Sequence, residues 1–416
     1  MSTKTNPRTS GGNANAASGS RTERIRALAK RLHPDLIKVR RHLHQRPEVS
    51  FEEVETTKFL IAELAKLKLT PFKTGLPTGV VTELKGVRPG PTVAVRTDID
   101  ALPILEKNEI PFVSKIPGRM HACGHDVHMA VVLGTARLLS QMKDEIAGNV
   151  RFFFQHAEEM PPGGARELIA AGALKNPPVR AVLGLHVDPR TPVGKIGLRD
   201  GVTMASVDDV DITIIGKSGH AARPHDAVDA IAIAAEVVGA LQRIVSRETD
   251  PFEPVVITVG QLHAGTARNV IAERAHMKAT IRTLSAATAK RVKASLKRTV
   301  TNLCRARGAR VEIDSIADYP PVDNVGWINR IYEQSFTELF GHGRVEETAP
   351  SMGGEDFACY LAEVPGAMLR LGVRNPKIGA TENWHSDRFM VDEDAIYYGV
   401  ALMASSALAA LERVKG

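Results

Sequence analysis

The segment His121-Ala-Cys-Gly-His125-Asp126, with Gln155-His-Ala-Glu158-Glu159 about thirty residues further on, decides how this chain is read. A thiol and an imidazole two residues apart, then a pair of carboxylates, are metal-ligand chemistry, and their surroundings give the fold. A helical pattern covers residues 127–141, and the apolar run 150–154 leads into Gln155. Apolar runs at 92–96 and 179–185 lead into Asp98 and Asp100 and into His186; a fourth lies at 368–373, and a second helical pattern at 165–173. Strands alternating with helices predict an α/β layer with a mostly parallel sheet. In open sheets of this kind ligands bind beyond the carboxyl ends of the strands. Asp98, Asp100, Glu158, Glu159 and His186 all fall there, a convergence harder to explain by chance than any one motif.

Residues 202–317 follow a different order: strand 207–215, helix 227–247, strands 255–262 and 276–284, helix 287–307, strand 311–316. That β-α-β-β-α-β succession predicts a ferredoxin-like α+β domain, inserted between a first catalytic segment (21–201) and a second (318–416). The first segment opens on a helix, with Ile25, Leu28, Leu32, Leu36, Val39 and Leu43 recurring every three to four residues, and a second helix is expected over 52–67. Residues 1–20, rich in Ser, Thr, Asn, Gly and Ala, are expected to be disordered.

A chain of 416 residues, 43% hydrophobic and 24% charged, suits a two-domain globular protein. No apolar stretch reads as long enough to span a membrane, and the N-terminus lacks the apolar core of a signal peptide. The three cysteines, Cys123, Cys304 and Cys359, are too few for a disulfide framework. A reduced, cytoplasmic protein is the expectation. The net charge of +7 does not argue for nucleic acid: residues 1–46 carry 11 Lys/Arg against 2 Asp/Glu, and the remainder 43 against 45. The positive charge is an N-terminal feature rather than a face of the fold, and no nucleic-acid motif accompanies it.

Each chemical reading has a plainer one beside it. Cys123 and His125 precede a predicted helix, and a metal or the helix dipole favours the thiolate; a buried cysteine beside an unrelated histidine is the alternative. Adjacent acids usually make a solvated loop, yet one carboxylate binding metal and a free neighbour handling protons is a workable division of labour. A metal lowers the pKa of its water to about 7, and a free carboxylate can carry that proton to a leaving amine. A lone histidine in an apolar strand such as His186 is more often a core residue than a ligand. His385, in Asn383-Trp-His-Ser, is equally ambiguous, with Trp384 suggesting a partly buried wall. Asp98 and Asp100 either orient ligating histidines or make a strand-end turn. The turn Gly216-Lys-Ser-Gly-His220-Ala-Ala-Arg-Pro-His225 needs its glycines for φ > 0 whether or not it is functional. Asn269 and Arg282 are single polar residues in strand-like stretches, where surface solvation is the plain reading. Ser351-Met-Gly-Gly-Glu-Asp-Phe357, with Gly353 and Gly354, can bring backbone N–H groups to a carboxylate; it lacks the ending of a phosphate loop.

Together these motifs resemble the aminoacylase/carboxypeptidase metallopeptidases, in particular the amidohydrolase branch that contains hippurate hydrolases and auxin-conjugate hydrolases. The matching segments are 40–48, 96–103, 120–126, 155–159, 184–186, 216–224, 269–271, 352–357 and 385–389, in family order. The resemblance implies a zinc-peptidase-like catalytic domain binding one or two divalent metal ions per subunit (Zn, Mn, Co or Ni). Cys123, His125, Glu159, His186 and His385 would be the ligands, Glu158 the general base, and Asp98 and Asp100 the supports of the ligands. The inserted domain would be a lid that also forms a homodimer, its His220 reaching the partner's active site to stabilise the developing oxyanion. Asn269 and Arg282 match positions that hold the substrate and its carboxylate, with Gly353 and Gly354 completing the contacts. Two residues depart from the pattern: His156 and Asp387 stand where the branch usually has proline. His156 is therefore expected as an extra ligand or a substrate contact.

The sequence thus leads us to expect a metal-dependent amidohydrolase. Its expected substrate is an N-acyl amino acid or a small aromatic amide bearing a carboxylate, with no nucleic-acid or membrane partner. The two departures leave room for an alternative, hydrolytic deamination of an aromatic amino acid such as an aminobenzoate. A non-catalytic metal-binding protein is a second alternative, against which the retention of a non-ligating Glu158 argues.

Overall fold

The computed structural model describes residues 20–415, with backbone only at 315–318. The disorder expected of residues 1–20 lies outside the described residues except at Ser20, which caps the first helix. Its hydroxyl accepts from the Glu23 N–H at 3.3 Å while the Glu23 carboxylate accepts from the Ser20 N–H at 2.9 Å, a reciprocal cap.

The chain begins with α1 (Arg21–His44), α2 (Val54–Ala65), β1 (Val80–Lys85), β2 (Arg88–Asp98), α3 (His125–Ser140), β3 (Ala147–Gln155), α4 (Gly164–Ala170), β4 (Val179–Pro192) and β5 (Ile196–Leu198). After β6 (Gly201–Met204) comes the insert: β7 (Ser206–Ile215), β8 (Gly219–His220), α5 (Ala230–Arg247), β9 (Val255–Ala264), β10 (Val270–Ile271), β11 (Arg274–Thr283), α6 (Ala286–Ala306) and β12 (Arg310–Tyr319). The chain returns through β13 (Val322–Asn324), α7 (Gly326–Phe340), β14 (Val345–Glu347), α8 (Ala358–Leu361), β15 (Gly366–Arg374) and α9 (Asp394–Arg413).

The main sheet has the order β1-β3-β2-β4-β15-β5-β14. It is parallel except at the β1–β3 and β15–β5 pairings, so the expected mostly parallel α/β layer is present. Its central strands are apolar on successive residues because both faces are covered. One face packs under α1, α3, α7 and α9 around Leu36, Val95, Met129, Leu183, Leu369 and Val400. The other carries α4 and α8 over Phe153, Leu168, Phe357 and Tyr360.

One helix corrects the sequence reading: α9 is long and apolar enough to cross a membrane by length and composition. It packs along α1, α3 and α7, and burial of most of its surface accounts for its apolar character.

The insert forms an antiparallel sheet of order β12-β7-β11-β9, covered by α5 and α6. That order and the βαββαβ succession make it ferredoxin-like. It has its own core, including Ile212, Ile214, Val237, Leu241, Met277 and Val300. It joins the catalytic layer where β6 pairs with β13, and there Met204, Val207 and Tyr319 pack with Phe357 and Tyr360.

Candidate metal centre

The strand ends bring the candidate ligands together as the sheet topology requires. β2 ends at Asp98, β3 ends three residues before Glu158, and β4 carries His186 near its C-terminal half. His125 is the first residue of α3 rather than a residue ahead of it. The preceding Gly124 has φ +90°, and a Cβ there would lie 2.5 Å from Val187 Cγ2. Only glycine lets the Cys123–His125 turn lie this close against β4.

Three overlapping donor sets each have all their ligand atoms within 4.8 Å of one another: Cys123 with His125 and His186, Cys123 with Glu159 and His385, and His125 with Glu158 and Glu159. Cys123 Sγ lies 3.4 Å from His186 Nε2. Glu159 Oε1 lies 3.8 Å from His125 Nε2 and 3.3 Å from His385 Nε2. All five sequence-predicted ligands therefore meet. His385 does so from a left-handed backbone position, φ 63°, conformational strain of a kind found at functional sites.

His125 and His186 are oriented through Nδ1, which turns Nε2 of each toward the cluster. His125 Nδ1 donates to the Asp100 carbonyl at 2.9 Å, with Asp100 Oδ1 at 3.1 Å. Its Nε2 is buried without a hydrogen-bond partner. His186 Nδ1 donates to the Val187 carbonyl at 2.8 Å, which leaves Nε2 as the acceptor facing Cys123. Buried polar atoms are rarely left unsatisfied. A thiol, imidazoles and a carboxylate converging with bare donor atoms fit divalent cations.

Asp98 and Asp100 brace this set. Asp100 Oδ2 accepts from the Ser50 hydroxyl at 2.7 Å and from the Glu159 N–H at 2.9 Å. Asp98 Oδ1 accepts from His128 Nδ1 at 2.7 Å, and its Oδ2 accepts from Arg96 Nη1 at 2.7 Å. His128 Nε2 in turn accepts the Val187 N–H at 2.9 Å. His128 and Arg96 were missed by the sequence reading, although His128 follows His125 by three residues and shares its helix face.

In the metal-free protein one candidate ligand is already in its ligating form and two must give up a proton. Burial, reinforced by His128 and Arg370, holds the His186 imidazole well below its usual range, hence neutral. Burial, then Glu159 and Glu158, pushes the Cys123 thiol well up in the metal-free protein. Burial opposes the charge of His125, but Asp98, Asp100 and Glu159 outweigh it and hold the ring at about 10. Burial, then Glu355, Glu159 and Asp356, raises the Glu158 carboxyl well above the ordinary value.

Cys123, Glu158, Glu159, His186 and His385 floor a cleft of about 470 Å³ whose walls include Arg190, Met204, Arg282, Tyr319, Arg370 and Trp384. Gly353 and Gly354 line it as well. At Gly354 a Cβ would come within 2.1 Å of Val207 Cγ2 and 2.9 Å of Arg282 Nη1, so the absent side chain admits the insert's wall. Sequence reasoning had no signal for Arg190, Arg370 or Tyr319.

Four singled-out residues lie elsewhere. His156 is buried with Nε2 2.8 Å from Glu167 and its ring edge-on to Phe51; it does not line the cleft. Asp387 forms a 2.5 Å ion pair with Lys107, also off the cleft. His220 and Asn269 are exposed neighbours: β8 pairs with β10, and the Ala221 N–H donates to the Asn269 carbonyl at 3.1 Å. Neither contributes to the cleft of its own chain.

Fold and site together define a metal-dependent hydrolase: an α/β sheet gathers the candidate ligands at its strand ends, and a second domain walls the cleft. The family model described as peptidase family M20/M25/M40 matches residues 94–409, and the chain belongs to this family. It is 45% identical over 302 residues to an N-acyl-L-amino acid amidohydrolase of Geobacillus stearothermophilus, covering 73% of this chain and 81% of that protein. It is 40% identical over 387 residues to an N-acetylcysteine deacetylase of Bacillus subtilis, covering 93% and 99%. A solved dinuclear metal-binding M20-family peptidase of Bacillus subtilis is similar with a TM-score of 0.81 and 37% identity, covering 92% and 99%. The family resemblance read from the motifs is borne out.

Proposed function

We propose that the protein hydrolyses the amide bond of an N-acyl amino acid, or of a small aromatic amide bearing a carboxylate, at a centre of two divalent cations. The observation that carries this reading is the overlap of the donor sets around Cys123 and Glu159, with Glu158 beside them and Arg282 on the wall above. Cys123, His125, Glu159, His186 and His385 would hold the cations. When bound, these cations supply a water that ionises near neutral pH and polarise the substrate carbonyl.

The chain's own residues do the rest. Arg282 keeps its terminal nitrogens for the substrate carboxylate, since its side-chain hydrogen bond uses Nε, to Thr280 Oγ1 at 3.0 Å. Gly353 and Gly354 let the substrate approach the backbone. Glu158 lies beside Glu355 and Asp356 in a buried carboxyl cluster, which favours its protonated form. With cations bound, their positive charge would favour its carboxylate, which takes a proton from the attacking water and, as the acid, returns it to the departing amine nitrogen. His220 and Asn269, adjacent and exposed on the insert, are free to act on the cleft of a second subunit, in support of a homodimer with His220 as oxyanion donor. The deaminase alternative rested on His156 and Asp387, whose side chains face Glu167 and Lys107, so no observation favours it.

The test is metal content together with hydrolysis of N-acetyl and N-benzoyl amino acids before and after chelation. Chelator-sensitive release of amine and acid is expected. A Glu158→Gln variant should keep its metal and lose about 10²- to 10⁴-fold in kcat. Ammonia release from aminobenzoates alone, or full activity in that variant, would overturn the proposal.

A further inference from the structure

Three arginines wall the cleft, and they differ in what neutralises them. Arg190 grips Asp188 through two contacts, 3.0 and 3.1 Å. Among the described residues Arg282 and Arg370 have no ion-pair partner. The one carboxylate on the wall side of the cleft floor, Glu355, is held 3.1 Å from Arg96.

Arg370 is the more unusual of the two. It lies on β15, whose neighbours Leu369 and Leu371 are fully buried, and it is the ladder partner of the ligand His186 on β4. The register therefore sets it beside the metal centre. Its side chain is partly buried, and its hydrogen bond runs from Nη2 to the thioether of Met204 at 2.8 Å, a weak acceptor. It faces the Trp384 ring at 6.0 Å while the Arg190 guanidinium stands over the same ring at 4.9 Å. A second cation thus shares an aromatic face whose nearby carboxylate, Asp188, is already engaged. Asp188 and Glu355 act on Arg370 only from beyond ion-pair distance, and setting a guanidinium fork in a partly desolvated wall without a carboxylate in direct contact is costly. Planar, bidentate recognition of a carboxylate is what that fork does best.

We propose that Arg370 receives a second anionic group of the substrate, so that the preferred substrates are dianionic N-acyl amino acids. The second carboxylate is either on the amino-acid side chain, as in an N-acyl glutamate or aspartate, or at the far end of the acyl group, as in an N-succinyl or N-glutaryl amino acid. This deepens the amide-hydrolysis reading and rests on it for turnover, though not for binding.

The experiment compares kcat/KM of the metal-loaded protein for N-acetylglutamate against N-acetylglutamine, and for an N-glutaryl amino acid against its N-butyryl counterpart. A hydrogen-bonded charge pair corresponds to roughly a 10- to 100-fold preference for the dianion. That preference is expected in one pair, and which pair shows it identifies the end of the substrate that Arg370 reads. Arg370→Leu should abolish the preference, the dianionic members losing about 10- to 100-fold more kcat/KM than the monoanionic ones; Arg370→Lys should retain part of it. No preference in either pair, or an equal loss for mono- and dianions in Arg370→Leu, overturns the proposal. Should no N-acyl amino acid be turned over, the amidase reading fails separately. Calorimetric binding of glutarate against butyrate, in wild type and Arg370→Leu, then decides the role of Arg370.

Discussion

Replacing Arg96 by methionine should expose how much of the centre rests on one buried cation. Its guanidinium donates to Asp98 Oδ2 at 2.7 Å, Asp356 Oδ1 at 2.8 Å and the Gln155 side-chain carbonyl at 3.0 Å, and lies 3.1 Å from Glu355. Methionine replaces much of the aliphatic stem, so the loss is chiefly electrostatic. Removing one partner of a buried ion pair costs about 3–5 kcal/mol. Burial already raises Asp356 to about 7 and Glu355 above its ordinary value, with Arg96 the largest opposing influence on both. Without Arg96 both rise further. An acid whose folded pKa exceeds its unfolded value of about 4 weighs against folding as pH climbs from there through the folded pKa, and costs nothing below. The destabilisation of Arg96→Met relative to wild type should therefore be largest near about pH 8 and shrink toward about pH 5.5 as these carboxyls take up protons. Urea unfolding of both proteins at the two pH values, after chelation so that metal binding does not enter the equilibrium, measures it. A loss under about 1 kcal/mol, the scale of an exposed pair, or the same loss at both pH values, would refute the reasoning.

Gly124→Ala should lower metal content and stability by about 1–3 kcal/mol, the cost of a strained backbone, because the new methyl meets Val187. Gly239→Ala, in α5 with open space around it, should instead stabilise by about 0.5–1 kcal/mol; thermal unfolding compares the two. Metal uptake should release protons and tighten as pH rises, since ligation needs the Cys123 thiolate and the neutral His125 ring. Their metal-free pKa values are held well up and at about 10. Titration calorimetry in buffers of different ionisation enthalpy reads the protons, and pH-independent affinity would contradict the ligand assignment. His156→Ala should cost about 1–3 kcal/mol through the packing lost around a buried ring and leave kcat unchanged; a selective fall in kcat would return His156 to the substrate.

The legible parts of the fold were those with a local signature. β2, β3, β4 and β15 are continuous apolar runs because both faces of the sheet are covered, and α5 and α6 keep one apolar stripe against a single sheet. By contrast α9 buries most of its surface and shows no stripe, and β5 and β14 have three residues each, too few to establish a period. The convergence of the candidate metal ligands was legible for a related reason: each lies in a motif or ends a strand, so chain order nearly reports spatial order. His156 shows where that reasoning stops. It stands two residues from Glu158, but Ala157 is left-handed at φ 48°. The turn sends the histidine under the wall and the glutamate into the cleft. Arg370 is the converse case. Nothing next to it in sequence is polar chemistry, and it meets His186 only because β15 pairs with β4 in one register. A shift of one residue would turn Arg370 to the opposite face of the sheet and present Leu369 or Leu371 to the cleft instead. The floor of this site is written in contiguous motifs, whereas its walls depend on pairing between distant strands. The preference for one substrate over another is therefore a property of the folded register, and substitutions at Arg370 and Arg282 rather than at the ligands are where it should change.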